Sequence, residues 1–322
     1  MPPRLSRLLP DELPGYRRIT LITLISLVAI IVVGATVRLT DSGLGCNSWP
    51  GCESDSLTPH SASDFHGMVE FINRLVNGVV IVITVAAVLG ARRLRAERPD
   101  LYRWSLGLPV WVLGNAVVGG MVVLLHLDPV SVMGHFLVSL GAVWNAVVLY
   151  TRAHEPRAAS RRPQAVGTVV TACRLLLVAA TVVMVTGTIV TGSGPHAGDE
   201  RADRLDFVVA DVARIHGIAV MLFLGLTLAV LAMARRGDAA PVVGRRLNEL
   251  LTVLVAQGAI GYLQYFNGVP ALLVGFHVLG AAVLWVAVVR VHLALSAPVP
   301  AGPEDAARSA PSAAVAAQAL SS

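Results

Sequence analysis

The stretch GATVRLTDSGLGCNSWPGCESDSLTPHSASDFHGMVEFINR, residues 34–74, decides the fold. It leaves one apolar run, crosses a polar loop with two cysteines, and enters a second apolar run. The start of that second run carries four polar groups, His66, Glu70, Asn73 and Arg74. Ionisable groups at membrane depth are unfavourable unless they face a bundle interior, where they mark functional sites. The stretch therefore predicts a membrane helix bundle with a polar site inside it.

The composition indicates a membrane protein rather than a soluble one. Of the 322 residues, 55% are hydrophobic and 14% are charged, and the mean hydropathy is +0.70. Soluble domains usually carry about a quarter charged residues. All 25 basic residues are arginine, and most lie in short segments between apolar runs. This distribution is typical of topology signals and does not favour nucleic acid as a partner.

Eight apolar runs are long enough to cross a bilayer, which takes about 20 helical residues. They fall at residues 18–37, 66–90, 104–125, 130–150, 168–191, 207–234, 247–266 and 270–292. The connectors between them alternate between arginine-rich and arginine-poor, starting with an arginine-rich N-terminus. By the positive-inside rule, both termini are predicted to be cytoplasmic. The protein is expected to lie in the plasma membrane, surrounded by lipid.

The two halves of the chain share a pattern. The segment GATVRLTDSG from Gly34 resembles GTIVTGSG from Gly187, and each closes an odd-numbered helix. Each half holds four helices, an even number, so both halves have the same orientation. The predicted fold class is an all-α polytopic membrane protein, with eight transmembrane helices in two parallel pseudo-repeated four-helix bundles. The expected parts are a cytoplasmic N-terminal segment (1–17), an N-terminal four-helix half (18–150), a cytoplasmic linker (151–167), a C-terminal four-helix half (168–292) and a disordered cytoplasmic tail (293–322).

Three histidines lie at matching depths in even-numbered helices that run inward from the outer face. His135, His216 and His277 each follow the start of a helix closely, which places them about 10 Å below the outer surface. Imidazoles at one depth on different helices can approach a single metal from opposite sides, and an apolar cavity between them favours haem. Packed, hydrogen-bonded histidines and a proton relay are the alternatives.

Helix 2 departs from this pattern. By the repeat, Asn73 takes the position of His216, and His66 lies two turns nearer the outer surface on the same helix face. Glu70 lies between them, where a carboxylate could exchange a proton with a bound group. An ion pair with Arg74, four residues later, is the alternative interpretation of Glu70.

The first outer loop contains Cys46 and Cys52 on either side of Asn-Ser-Trp-Pro-Gly. Thiols outside the cytoplasm tend to oxidise, and the intervening Pro and Gly permit ring closure, so a disulfide is predicted. A redox-active pair that exchanges with a partner dithiol is the alternative. The guanidinium groups of Arg38 and Arg74 match the carboxylate fork of a haem propionate, although Arg38 could instead reach lipid headgroups.

Taken together, these motifs resemble those of a known family, the haem A synthases, membrane enzymes that oxidise haem O to haem A for cytochrome oxidase. The similar segments are GATVRLTDSGLGCNSWPGC in the first outer loop, EFINR on helix 2, GHFL on helix 4, TGSGPHAGD in the third outer loop, RIHG on helix 6 and FNGVPALLVGFHVLGA on helix 8. The resemblance covers residues 18–292.

The resemblance implies two haem sites. A b-type haem would be held in the C-terminal half by His216 and His277. The substrate, haem O, would lie in the N-terminal half with His135 as a ligand and Glu70 beside it, and its C-8 methyl group would become a formyl group. Cys46 and Cys52 match the outer-loop pair of the family. Haem O synthase and an electron donor are the implied partners, and self-association is left open.

One position differs from the family pattern. Many haem A synthases carry histidine where this chain has Asn73, so Glu-x-x-His-Arg becomes Glu-x-x-Asn-Arg. Either His66 takes the iron of the substrate, which is the favoured alternative, or His135 holds that iron alone and leaves one face open. Two other functions stay in view: a membrane cytochrome b that only carries electrons, and a transporter that uses the cleft between the halves.

Overall fold

Each long apolar run of the sequence folds as one α-helix, because a helix satisfies its backbone groups internally where no water is available. The computed structural model describes residues 13–46, 48–61 and 63–300. The helices are α1 (Leu13–Leu39), α2 (Phe65–Arg93), α3 (Pro99–Leu124), α4 (Pro129–His154), α5 (Gly167–Ser193), α6 (Val209–Met233), α7 (Pro241–Phe266) and α8 (Ala271–Ala294). A π-helical turn, Ala234–Asp238, continues α6.

Capping residues fix the N-terminal ends of α2 and α4. The carboxylate of Asp64 accepts a hydrogen bond from the N–H of Gly67 at 3.1 Å, and that of Asp128 accepts one from Ser131 at 2.8 Å. Each bond satisfies an N–H that has no partner within its helix. Pro129 occupies the first position of α4, where its missing N–H is no loss. The polar ends of α2 and α4 are therefore sharply defined, and Glu70 and His135 lie one to two turns beyond them.

Each set of four consecutive helices closes on itself. In the first set, α1 and α3 each pack against α2 and α4; in the second, α5 and α7 each pack against α6 and α8. The two sets meet through α1, α4, α5 and α8. A hydrogen bond buried in this interface runs from Nε1 of Trp285 on α8 to the carbonyl oxygen of Leu140 on α4, at 2.9 Å. A parallel repeat would produce this shared pattern of neighbours.

Seven helices of the described residues, rather than the expected eight, are long and apolar enough to cross a membrane. The exception is α7, although its length matches that of α3 and α4. Its first turns carry Arg245, Arg246 and Glu249, and its second half carries Gln257 and Gln264. These polar groups lower its hydropathy. The helix nevertheless packs against both α6 and α8 within the second set.

A short antiparallel ribbon joins the linker between the halves to the residues after α8. Strand β1 (Ala158–Pro163) pairs with β2 (Ser296–Pro300). Arg161 donates to the carbonyl oxygen of Ser296 at 2.7 Å and to the carboxylate of Glu155 at 2.8 Å. The first residues of the segment expected to be a disordered tail thus form a paired strand, because α4 and α8 are neighbours and the chain leaves both at the same place. Residues 301–322 of the expected tail, and residues 1–12 of the N-terminal segment, lie outside the described residues.

Candidate functional site

One large cavity lies among the helices and is shared by the two halves. Its volume is about 1190 Å³, its wall is mostly apolar, and all eight helices contribute residues to it. The predicted site residues on its wall are Arg38, Glu70, Asn73, Arg74, His135, His216 and His277. Large apolar cavities with a few convergent polar groups are the usual form of a cofactor or ligand site. The fold therefore brings most of the predicted site residues to one place.

In three places an imidazole on an even-numbered helix packs directly over a glycine of the preceding helix. A methyl group added to Gly119 would lie 3.1 Å from Cε1 of His135. The corresponding distances are 3.2 Å from Gly187 to His216 and 3.2 Å from Gly261 to His277. An alanine at any of these positions would make the ring shift by a few tenths of an ångström. We call these the imidazole–glycine pairs of α3/α4, α5/α6 and α7/α8.

The ring nitrogens of the two C-terminal histidines have different partners. Nδ1 of His216 is hydrogen-bonded to the hydroxyl of Thr186 at 3.0 Å, which leaves Nε2 as the nitrogen that can act as a ligand. Nδ1 of His277 is buried without a hydrogen-bond partner, and so is Nδ1 of His135. Buried polar atoms are rarely left unpaired in native structures, and those that are call for an explanation such as a bound group.

The two C-terminal histidines, His216 and His277, line the same cavity. No cluster of three or more His, Cys, Asp and Glu side chains that could hold a bare metal ion occurs among the described residues. Two imidazoles facing one apolar cavity are instead a ligand set for haem, whose macrocycle supplies the other four ligands.

We call the place where an odd-numbered helix meets the next helix a corner of the cavity. The corner formed by α1 and α2 lacks an imidazole–glycine pair. By the repeat, Gly34 on α1 corresponds to Gly187, and Asn73 on α2 corresponds to His216. Gly34 and Asn73 both line the cavity. A methyl group added to Gly34 would meet no described atom within 4 Å, so this corner is open where the other three are filled.

The structure does not bring His66 into the cavity. His66 is exposed at the start of α2, and its Nδ1 is hydrogen-bonded to the hydroxyl of Ser42 at 3.0 Å. It lies near Asp199 in the loop after α5: a hydrogen bond from Arg201, with a smaller contribution from the charge of His66, lowers the pKa of the Asp199 carboxyl below its usual range. His66 therefore belongs to the contacts between the outer loops, and the sequence-based preference for it as a haem ligand finds no support in this placement.

Glu70 and Arg74 form the ion pair that was the alternative interpretation of Glu70, and both residues also hold the first outer loop. Oε1 of Glu70 accepts from Nη2 of Arg74 at 2.5 Å, and Oε2 accepts from the backbone N–H of Cys46 at 2.7 Å. Arg74 also donates to the backbone carbonyls of Ser48, Pro50 and Gly51. Glu70 is only 4% exposed. Its carboxylate is thus fixed at the cavity wall, beneath the loop.

The loop that Glu70 and Arg74 hold is closed by the predicted disulfide between Cys46 and Cys52. Trp49, which lies between the cysteines, reaches the cavity wall and packs on α3. A methyl group added to Gly120 would lie 2.7 Å from the indole ring, so the ring rests directly on the helix backbone. The sequence analysis did not predict Trp49 at the cavity wall. Its position between Cys46 and Cys52, in a loop that leads to Glu70, could have indicated it.

Arg38 links the two halves. Its Nη2 donates to the carbonyl oxygen of Thr191 at 2.6 Å, and its Nε donates to the carbonyl oxygen of His196. Both acceptors belong to the end of α5 and the loop that follows it. Arg38 lines the cavity as well, so these two bonds orient its guanidinium group without using all five of its N–H donors.

Comparison with known proteins identifies the family to which the chain belongs. The model of a family named COX15-CtaA, described as cytochrome oxidase assembly protein, matches residues 17–198, which is more than half of the chain. The chain belongs to this family. The matched range contains α1 to α5, and with them Glu70, Asn73 and His135.

Curated relatives are similar to parts of the chain. A protein from Geobacillus thermodenitrificans named Heme A synthase is 36% identical over 107 residues, which are 33% of this chain and 32% of the relative. The Heme A synthase of Shewanella oneidensis is 29% identical over 152 residues, 42% of this chain and 45% of the relative. That of Symbiobacterium thermophilum is 27% identical over 151 residues, 46% of this chain and 48% of the relative. The matches thus span about a third to a half of the length of these relatives.

Proposed function

We propose that this protein is a haem A synthase, which oxidises the C-8 methyl group of haem O to a formyl group during cytochrome oxidase assembly. The observation that carries the proposal is one apolar cavity, shared by both halves, with three imidazole–glycine pairs on its wall. Membership of a family of cytochrome oxidase assembly proteins, and relatives named Heme A synthase, supply the substrate and product.

In the C-terminal half, His216 and His277 would hold a b-type haem. Their placement on the wall of one cavity supports this assignment. The hydrogen bond that Nδ1–H of His216 would donate to the hydroxyl oxygen of Thr186 would fix the orientation of that ring and increase the basicity of Nε2. Two protein ligands close the coordination of an iron, which suits electron transfer rather than chemistry on a bound substrate.

In the N-terminal half, haem O would bind with His135 as its ligand. With bound haem and an external oxidant such as dioxygen supplying the oxidising chemistry, the methyl group would undergo two successive hydroxylations followed by loss of water. The residues of the chain would hold the macrocycle and exclude water: Trp49 offers an aromatic face above α3, and the disulfide-closed loop covers that side of the cavity. Arg38 keeps free N–H donors at the wall that suit a propionate.

Glu70 would hold or deliver a proton next to the substrate. The residue lines the cavity and is buried, and its carboxylate is oriented by Arg74 on one oxygen and by the N–H of Cys46 on the other. A carboxylate fixed in this way can act without first reorganising. The same bonds make Glu70 a support of the outer loop, so the proton role and the structural role need separate tests.

The topology that accompanies this function has all eight helices crossing the plasma membrane, in two parallel four-helix repeats with cytoplasmic termini. The packing of α7 between α6 and α8 supports its inclusion as a span. Haem O synthase would supply the substrate, and a membrane electron donor would supply reducing equivalents. Surrounding lipids, and contacts with a second copy of the chain, would complete the environment.

The test is conversion of haem O. The protein is purified after co-expression with a haem O source, its haem is typed by the pyridine haemochrome spectrum, and extracts are separated by chromatography. Haem A in the extract is the expected result. Bound haem B with haem O left unconverted would support a cytochrome b that only carries electrons, and a protein that binds no haem at all would support a transporter. His216→Ala serves as a control, because it should remove the b-type spectrum.

A further inference from the structure

We propose that the haem of the N-terminal half has one protein ligand, His135, and that its opposite face, at Gly34 and Asn73, is a binding site for a small diatomic ligand. The proposal deepens the function proposed above, since it concerns the same cavity. It predicts that the two halves bind haem in chemically different ways: closed in the C-terminal half and open in the N-terminal half.

The first support is the comparison of the four corners of the cavity. Three corners carry an imidazole within van der Waals distance of a glycine on the preceding helix. At the fourth, the glycine has no described atom within 4 Å of an added methyl group, and the residue at the histidine position is Asn73. The missing ring leaves space that belongs to the cavity, since Gly34 and Asn73 both line it.

The second support is that the remaining histidines near the cavity are engaged elsewhere: Nε2 of His196, which lines the wall, is hydrogen-bonded to the carbonyl oxygen of Val269 at 2.9 Å. His66 is exposed, is hydrogen-bonded through Nδ1 to Ser42, and lies off the cavity wall. The Asn73 side chain is shorter than an imidazole and ends in an amide, which is a poor iron ligand but a good hydrogen-bond donor. A donor beside an open face is the arrangement by which haem pockets favour small bound ligands.

The third support is that the N-terminal half contributes several amide side chains to the cavity wall. Asn73 is followed one turn later by Asn77, which also lines the cavity, and Asn115 of α3 lines it as well. The hydroxyl of Ser139 donates to Oδ1 of Asn115 at 3.2 Å. Amide groups at a cavity wall can hold a polar ligand or a water molecule in place.

The experiment uses carbon monoxide on purified, haem-loaded protein reduced with dithionite. The haem-to-protein ratio is first brought to two by adding haem, with the pyridine haemochrome as the measure. The expected result is a carbon monoxide difference spectrum from about half of the haem, because His216 and His277 block the other half. His135→Ala should abolish this signal and leave the low-spin haem of the C-terminal half.

Asn73→His is the decisive variant. It places an imidazole at the open corner, which should convert the N-terminal haem to a low-spin form and weaken carbon monoxide binding by about tenfold or more, because the new side chain competes for the iron. Leu75→His is the matched control: it puts the same ring on α2 two residues away, at an exposed position that does not line the cavity, and it should change neither the spin state nor the binding. The low-spin spectrum of the C-terminal haem reports that each variant is folded.

Two results overturn the proposal. Fully loaded protein that binds no carbon monoxide would show that the chain supplies a second ligand, and unchanged binding in Asn73→His would show that the open face lies elsewhere. Failure of the proposed function is distinguishable from either: it appears as unconverted haem O in the chromatographic assay while the carbon monoxide spectrum is intact. If a second haem cannot be loaded at all, both proposals fail.

Discussion

The two halves of the molecule have the same pattern of neighbouring helices, and they differ most clearly at the corner formed by α1 and α2. In the C-terminal half both even-numbered helices place an imidazole over a glycine; in the N-terminal half only α4 does so. The N-terminal half instead has Asn73, a fixed Glu70–Arg74 pair and a disulfide-closed loop. The difference indicates a division of roles: a closed site suits the passage of electrons, whereas an open site with a fixed carboxylate suits chemistry on a bound substrate.

The largest expected effect comes from removing a C-terminal imidazole. His277→Ala should remove the b-type haem almost completely, because one remaining side-chain ligand at a site shaped for two cannot hold the iron. The haem-to-protein ratio and the low-spin spectrum of purified protein measure the loss. His292→Ala, on the same helix but away from the cavity wall, is the control and should keep its haem. Retention of the b-type spectrum in His277→Ala would end the claim that the C-terminal half is closed by two histidines.

The next largest effect is expected from changing Glu70, which has no counterpart in the C-terminal half of the comparison. Glu70→Gln keeps the shape of the side chain and can still accept from the N–H of Cys46, but it cannot transfer a proton. Conversion of haem O should fall by about a hundredfold or more while the b-type spectrum is unchanged. Glu70→Asp is the companion variant, since it retains the acid but shortens its reach. Normal haem A output from Glu70→Gln would restrict Glu70 to supporting the outer loop.

The imidazole–glycine pairs allow a matched series of glycine-to-alanine changes. Gly119→Ala, Gly187→Ala and Gly261→Ala each force a methyl group against a histidine ring, and such overpacking should destabilise the fold by about 1–3 kcal/mol and disturb the haem spectrum. Gly34→Ala faces open space and should change neither. Thermal unfolding followed by absorbance at the haem band compares the four variants directly. Equal destabilisation by Gly34→Ala would mean that the fourth corner is filled after all.

The disulfide should give the smallest effect. Cys46→Ser with Cys52→Ser opens a short ring, which by chain entropy is worth about 2 kcal/mol at most. Arg74 and Glu70 still hold the loop through its backbone, so the change should stay local to Trp49. Quenching of tryptophan fluorescence by bound haem, with Trp49→Phe as the control, measures the position of the loop. A large loss of haem from the C-terminal half would show that the loop supports more than its own side of the cavity.

Sequence reasoning identified the residues whose chemistry is unusual for their surroundings. Histidines, a glutamate and arginines in apolar runs stand out because each must find a partner or a site, and the apolar runs themselves give the helices. The disulfide followed from two cysteines that a short ring could join. From the sequence, Glu70 could be predicted only to pair with Arg74. Its hydrogen bond from the backbone N–H of Cys46 depends on how the loop folds back over α2, which no local pattern predicts.

Other features depend on contacts that no local pattern encodes. Thr186 and the glycines opposite the three histidines are ordinary helix residues until two helices pack, and only then do they position a ring. His66 looked like a ligand because helix periodicity places it on the same face as Asn73, yet the end of α2 lies among the outer loops. Helix α7 shows the reverse case: it packs against its neighbours like the other helices, although its polar residues keep its hydropathy below that of the seven candidate spans among the described residues.

The ribbon of β1 and β2 has a mechanical consequence. Strand β1, in the linker between the halves, pairs with β2, which follows the last helix. We call this pairing at one end of the molecule the clasp. Sliding one bundle past the other would have to strain or open this clasp, whereas tilting about it would not. The two halves are therefore linked at both ends, by the β1–β2 ribbon at one and by the hydrogen bond from Arg38 to Thr191 at the other, and we expect the shorter Arg38 link to yield first.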